Sequence, residues 1–206
     1  LLKLIIDASE TSSTVTSDEK HSNNFYNADF NVEITATDEN EYSGIGSIEY
    51  FVTDTEIAEN VAYIDVTEEL KTQSGILYVY TDTIKNTHTA AVAVDVEENK
   101  NNSDYVSVWF KITDLAGNVE YVRTENYLVN CTAPVLNNVT IDGTLHSEAT
   151  EGYYNNERTA TVVITDRASS FNSTAATDGI NIVAKDADGN VVSISKPTMI
   201  QWSSNG

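Results

Sequence analysis

The sequence predicts an all-β chain of two antiparallel sandwich domains in tandem, and three observations carry that prediction. Apolar residues alternate with a period of two from one end of the chain to the other. Thr, Val, Ile and Tyr are plentiful whereas Leu, Met and Arg are scarce, and β-branched and aromatic side chains suit a pleated, half-buried surface. A stretch that opens near residue 25 recurs near residue 153.

The alternation places the strands. Phe30, Val32, Ile34 and Ala36 share one face, with Asn31, Glu33 and Thr35 on the other. The same pattern runs through Ile48, Tyr50 and Val52, through Val92, Val94 and Val96, and through Val106, Val108, Phe110 and Ile112. Ala160, Val162 and Ile164 continue it, followed by Ile180, Ile182 and Ala184. Strands of this kind have one face in the core and one in water.

Turn chemistry separates them. Asp114-Leu115-Ala116-Gly117-Asn118 reads as a hairpin whose Gly117 takes the positive φ, and Asp186-Ala187-Asp188-Gly189-Asn190 reads as another. One helix is predicted, over Val66–Gln73, with Thr67 as N-cap and Glu68 and Glu69 in the first turn.

The repeat sets the domain plan. Phe25–Asp38 aligns with Tyr153–Asp166 through an aromatic pair, an Asn, an alternating strand and a closing Thr-Asp. Leu4-Ile5-Ile6-Asp7 matches Tyr127-Leu128-Val129-Asn130 in the same way. The expected division is residues 1–130 and 131–206, the second unit being shorter than the first and read as truncated. With no initiating Met, the chain reads as a piece of a longer protein.

Lys111-Ile112-Thr113-Asp114-Leu115-Ala116-Gly117-Asn118 resembles the TDxAGN hairpin of bacterial Ig-like repeats. There a strand follows, here Val119–Val129, and then a DxTAP-like joint, here Asn130-Cys131-Thr132-Ala133-Pro134. Asn130 and Cys131 depart from the usual Asp and Thr, and Asp7-Ala8-Ser9-Glu10 lacks the Pro. The resemblance is to repeats of large Gram-positive cell-surface proteins. It implies tandem immunoglobulin-like sandwiches, an extracellular location, either cell-wall-anchored or secreted, and a spacer or adhesive role. The partners it implies are neighbouring repeats of the same chain and a host or cell-wall glycan or protein.

Composition narrows the function further. The 206 residues carry 32 acidic and 11 basic side chains, a net charge of -21. That field repels nucleic acid and anionic membrane surfaces, so neither is an expected partner. The single cysteine, Cys131, leaves no intrachain disulfide. It reads as a small residue filling a Thr-sized slot at the joint.

No catalytic constellation stands out, and the chain is not expected to be an enzyme. His21, His88 and His146 lack metal-ligand spacing, and there is neither a phosphate loop nor a nucleophile elbow. Calcium is the cofactor to consider, because Asp38, Asp114 and Asp166 offer hard oxygen ligands at strand ends. The competing reading makes each of them a turn cap, which is the commoner fate of such an Asp. Tyr78, Tyr80 and Trp109 are the candidate platform for sugar rings, against ordinary packing. A carbohydrate-binding accessory module of a secreted enzyme is therefore the alternative function. Lys3, Lys111 and Asn126 are the groups to inspect for a Lys–Asn isopeptide bond.

Overall fold

The computed structural model describes residues 6–9, 11–20, 25–38, 43–96, 103–133, 135–142, 144–146, 160–165, 184–185 and 191–192. The chain divides into two compact units, Leu1–Cys131 and Thr132–Gly206.

Among the described residues unit one is built from strands β1 (Thr11–Ser17), β2 (Phe25–Tyr26), β3 (Phe30–Asp38), β4 (Ile45–Thr53), β5 (Gln73–Val79), β6 (Thr87–Val94), β7 (Ser103–Asp114), β8 (Val119–Arg123) and β9 (Tyr127–Val129). One sheet has the order β1-β3-β6 and the other β2-β9-β7-β4-β5, with β8 also on β7. Every pair is antiparallel except β2 with β9. The all-β prediction holds, and the two sheets pack face to face as a sandwich.

Alternation explains the packing. Phe30, Val32, Ile34 and Ala36 of β3 and Val92 and Val94 of β6 are buried on one side. Ile48 and Val52 of β4 and Val106, Val108, Phe110 and Ile112 of β7 meet them from the other. Tyr26, Phe30 and Tyr127 close one end, with Tyr26 stacked on Phe30 at a centroid distance of 3.7 Å. A core aromatic of this kind contributes several kcal/mol, typically about 3–5 on truncation to Ala.

Three local expectations change. Strand Val119–Val129 is split into β8 and β9, because the Thr124 hydroxyl accepts from the Val108 N–H at 3.0 Å in place of a backbone carbonyl. The helix expected at Val66–Gln73 is absent. Two short 3-10 turns, Tyr63–Asp65 and Glu68–Leu70, stand near it, and Gln73 already belongs to β5. So few residues cannot repay helix nucleation. The outer face of β7 is also covered at its middle, where Ser107 and Trp109 are buried, while Tyr105 stays exposed. Residues 54–72 fold over it, and Phe51, Ile57, Val66 and Trp109 form a second buried cluster beneath them.

β7 orders unit one along its length. Asp114 ends it beside the leading segment, whose Asp7 carbonyl accepts from the Asn118 amide. Ser103 begins it and pairs with Val129, where the chain leaves the unit. The chain therefore arrives and departs at opposite ends of a 12-residue strand. At 3.2–3.4 Å per residue those ends are about 35–37 Å apart.

Unit two holds the sheet β11-β10-β12 and the hairpin β13-β14 among its described residues. Its strands are β10 (Val135–Ile141), β11 (Thr144–His146), β12 (Ala160–Thr165), β13 (Ala184–Lys185) and β14 (Val191–Val192). β12 falls where the repeat places a counterpart of β3. The Asp186–Asn190 turn lies outside the described residues.

Two glycines give a direct test. Gly44 has φ +74, and a Cβ there would meet the Lys85 carbonyl oxygen at 2.9 Å, whereas Gly117 has φ +96 with nothing within 4 Å. Gly117→Ala should lower stability by about 1–2 kcal/mol, the left-handed strain alone. Gly44→Ala should cost more, and urea midpoints of the two variants check the order.

Candidate functional site

The Asp114 end of β7 gathers three carboxylates of unit one. Asp38 is the last residue of β3 and Asp114 the last of β7, so neighbouring strands in opposite sheets deliver both to one rim. Asp7 arrives from the irregular leading segment. One ligand oxygen from each of the three lies within 4.8 Å of the others. Asp38 and Asp114 are 2% and 4% exposed, and Asp7 is half-buried.

Hydrogen bonds fix the rim. The Ser43 hydroxyl faces all three, at 2.8 Å from Asp7, 3.0 Å from Asp38 and 3.3 Å from Asp114. It has one proton, so it donates to one of them at a time. The Gly44 N–H donates to Asp38 Oδ2, which requires the turn that the positive φ of Gly44 permits. Asn118 donates twice to Asp114, from its N–H at 2.8 Å and its side-chain amide at 2.7 Å. Donation from the Ser9 N–H and hydroxyl, then from Ser43, holds Asp7 below its ordinary carboxylate range.

The energies are closely matched. Two unit charges ~5 Å apart repel by about 3 kcal/mol at an effective dielectric near 20. A hydrogen bond to a charged group returns about 1.5–3 kcal/mol. Six donors, from Ser9, Ser43, Gly44 and Asn118, reach the three carboxylates, so the bonds together are of the same order as the repulsion. A hard cation would relieve the whole set, since three carboxylate oxygens and the Ser43 oxygen converge from different elements. The same bonds also make Asp114 a turn cap, so the two readings of the strand-end acids meet in one residue.

Of the metal candidates, Asp38 and Asp114 come together, and Asp166 lies outside the described residues. Asp7 was missed. Its partners are far away in sequence, and in the chain it simply closes the apolar run Leu4-Ile5-Ile6.

The aromatic candidates do not converge. Trp109 is 4% exposed, stacked on Phe51 at 5.4 Å and covered by the Arg123 guanidinium at 4.7 Å. It presents no face to a sugar, because residues 54–72 occupy that face. Tyr78 is half-buried and stacked on His88 at 3.9 Å. Burial, then the neighbouring Lys85, pushes the pKa of His88 down. Tyr80 follows β5 and its N–H donates to the Gly46 carbonyl. Sequence reasoning overlooked Tyr63, whose ring joins Phe51 at 4.9 Å to Tyr121 at 5.1 Å. Burial, then Glu49, pushes the Tyr63 hydroxyl up to about 12.

Lys111 and Asn126 each have another partner. Lys111 Nζ pairs with Glu49 at 2.9 Å, and Asn126 Oδ1 accepts from Arg123. Lys3 lies outside the described residues. Cys131 is partly buried against the main core and lines a shallow hollow of about 420 Å³ with Asn27, Ala28, Asp29 and Val96. No helix among the described residues is long and apolar enough to cross a membrane.

No protein-family model and no curated protein matches the sequence. Among solved structures, a DUF4466 family protein from Parabacteroides merdae is similar over 66% of this chain and 49% of its own, at 10% identity and a TM-score of 0.42. A DUF3823 family protein from Bacteroides ovatus is similar over 59% of this chain and 55% of its own, at 12% identity and a TM-score of 0.34. The chain thus spans about half the length of each.

Two outcomes are expected at the carboxylate rim. Asp7 has a depressed folded pKa, so its contribution is present above the unfolded value and lost as pH falls through the folded one. An acid titration of the melting temperature should therefore show Asp7→Asn differing from the native chain above about pH 4 and converging with it below. If the rim takes calcium, millimolar calcium should raise the midpoint more than magnesium does, and Asp38→Asn should remove that difference. Equal responses would leave screening alone.

Proposed function

We propose that this chain is a non-catalytic structural module, made of tandem immunoglobulin-like sandwiches, that spaces or presents neighbouring parts of an extracellular surface protein. The observation that carries this reading is the arrival and departure of the chain at opposite ends of β7. A module threaded that way adds length with every copy. One whose ends lie side by side does not.

Connectivity supports the immunoglobulin-like part of the reading. Sheet β1-β3-β6 faces sheet β2-β9-β7-β4-β5, and the chain crosses between them repeatedly, at β3 to β4, β5 to β6 and β6 to β7, as in a Greek-key sandwich. The motifs of the resemblance fall at meaningful places. Asp114-Leu115-Ala116-Gly117-Asn118 turns β7 into β8 and caps the carboxylate rim. The joint Asn130–Pro134 is all that separates β9 from β10. The charge of -21 keeps such an array apart from itself and from anionic surfaces.

Single-molecule stretching of the full chain from its two ends tests the proposal. A load-bearing module should give a discrete unfolding step for unit one. Releasing the residues between Asp7 and Cys131 from about 36 Å of folded length should yield on the order of 400 Å of contour length. Gradual extension without a step would remove the spacer role. Retention on a neutral glycan matrix, with no mechanical step, would instead favour the carbohydrate-binding alternative.

A further inference from the structure

β1 breaks the pattern that builds the rest of the sandwich. Its inward positions are Thr11, Ser13 and Val15, so it brings one apolar side chain to the core where β3 brings Phe30, Val32, Ile34 and Ala36. β8 breaks the pattern at the facing place. Glu120 lies between the exposed Val119 and Tyr121 and alternates with Val122, which packs on the core, so Glu120 holds an inward register position. The two departures answer each other. The Thr11 and Ser13 hydroxyls both donate to the Glu120 carboxylate at 2.9 Å, across the gap between the sheets.

From these contacts we infer that β1 is a releasable strap, latched to the opposite sheet by Glu120. Three kinds of contact hold it. The backbone ladder with β3 runs from Thr11↔Asp38 to Ser17↔Val32. The Tyr26 hydroxyl fastens its far end by donating to the Asp18 carbonyl at 2.7 Å and accepting from the Ser17 hydroxyl at 3.0 Å. The Glu120 latch is the side-chain tie that closes its near end onto β8. Apolar burial, the dominant source of cooperativity elsewhere in the sandwich, is nearly absent. When the latch opens, β1 can lift from β3 while the hydrophobic core of β3, β4, β6 and β7 stays closed. The backbone edge of β3 from Val32 to Asp38 is then bared. This step needs no assumption about the spacer role.

Native-state hydrogen exchange on the full chain, read by peptide mass spectrometry, tests the strap. In the native protein the amides of β1 should exchange faster than those of β7. Glu120→Ala removes both hydroxyl acceptors and should accelerate β1 by about tenfold or more while leaving β7 unchanged. Glu120→Gln keeps one carbonyl acceptor and should fall between the two, which guards against a merely misfolded variant. Slow exchange of β1 matching β7 in the native chain would overturn the proposal. So would variants that accelerate both strands alike, since that is global destabilisation and not a local opening.

Discussion

The rest of unit one depends on β7 being buried on both faces. Val106, Val108, Phe110 and Ile112 supply the main core from one side, while Ser107 and Trp109 are enclosed on the other. A half-wet antiparallel strand needs one packed partner layer. This one needs two, and residues 54–72 supply the second. Arg123 NH1 donates to the Ile57 carbonyl and lies over Trp109, and the Thr72 N–H and hydroxyl both reach the Val52 carbonyl. The covering segment is thus fastened at both ends to the sheet it protects. Its helical start signals yield only short turns, and the Thr67 side chain makes no capping hydrogen bond there.

The polar ends of the sandwich follow from the same strand. β7 delivers Asp114 to one end, where Asp7, Asp38, Ser43 and Asn118 meet it, and Ser103 to the other, where β9 departs. Hydrogen bonds and like-charge repulsion nearly balance at the carboxylate rim. β1 begins just beyond that rim, with Thr11 paired to Asp38 and a polar inner face.

Much of this was legible in the residues. The alternation of β3, β6 and β7 gave both the strands and their buried faces, and the Gly117 hairpin gave the turn. Asp38 and Asp114 were visible as strand-end acids. Asp7 was not, because its partnership with them is made by folding and leaves no local period. Trp109 misled for a related reason. Alternation assigns it outward correctly but cannot say that a distant segment covers the outward face. Glu120 was passed over as one acid among 32, and only its inward register on β8 distinguishes it. The helix over Val66–Gln73 failed because cap residues mark a start without guaranteeing enough length to continue.

A spacer requires that load enter and leave unit one at its two ends. Electron–electron distance measurement between spin labels tests that requirement most directly. The native Cys131 provides one site beyond β9, and Ala8→Cys provides the other beside the carboxylate rim. A narrow distribution centred at about 35–40 Å is expected from the length of β7. A centre below about 20 Å would place the two chain ends together and contradict the spacer account.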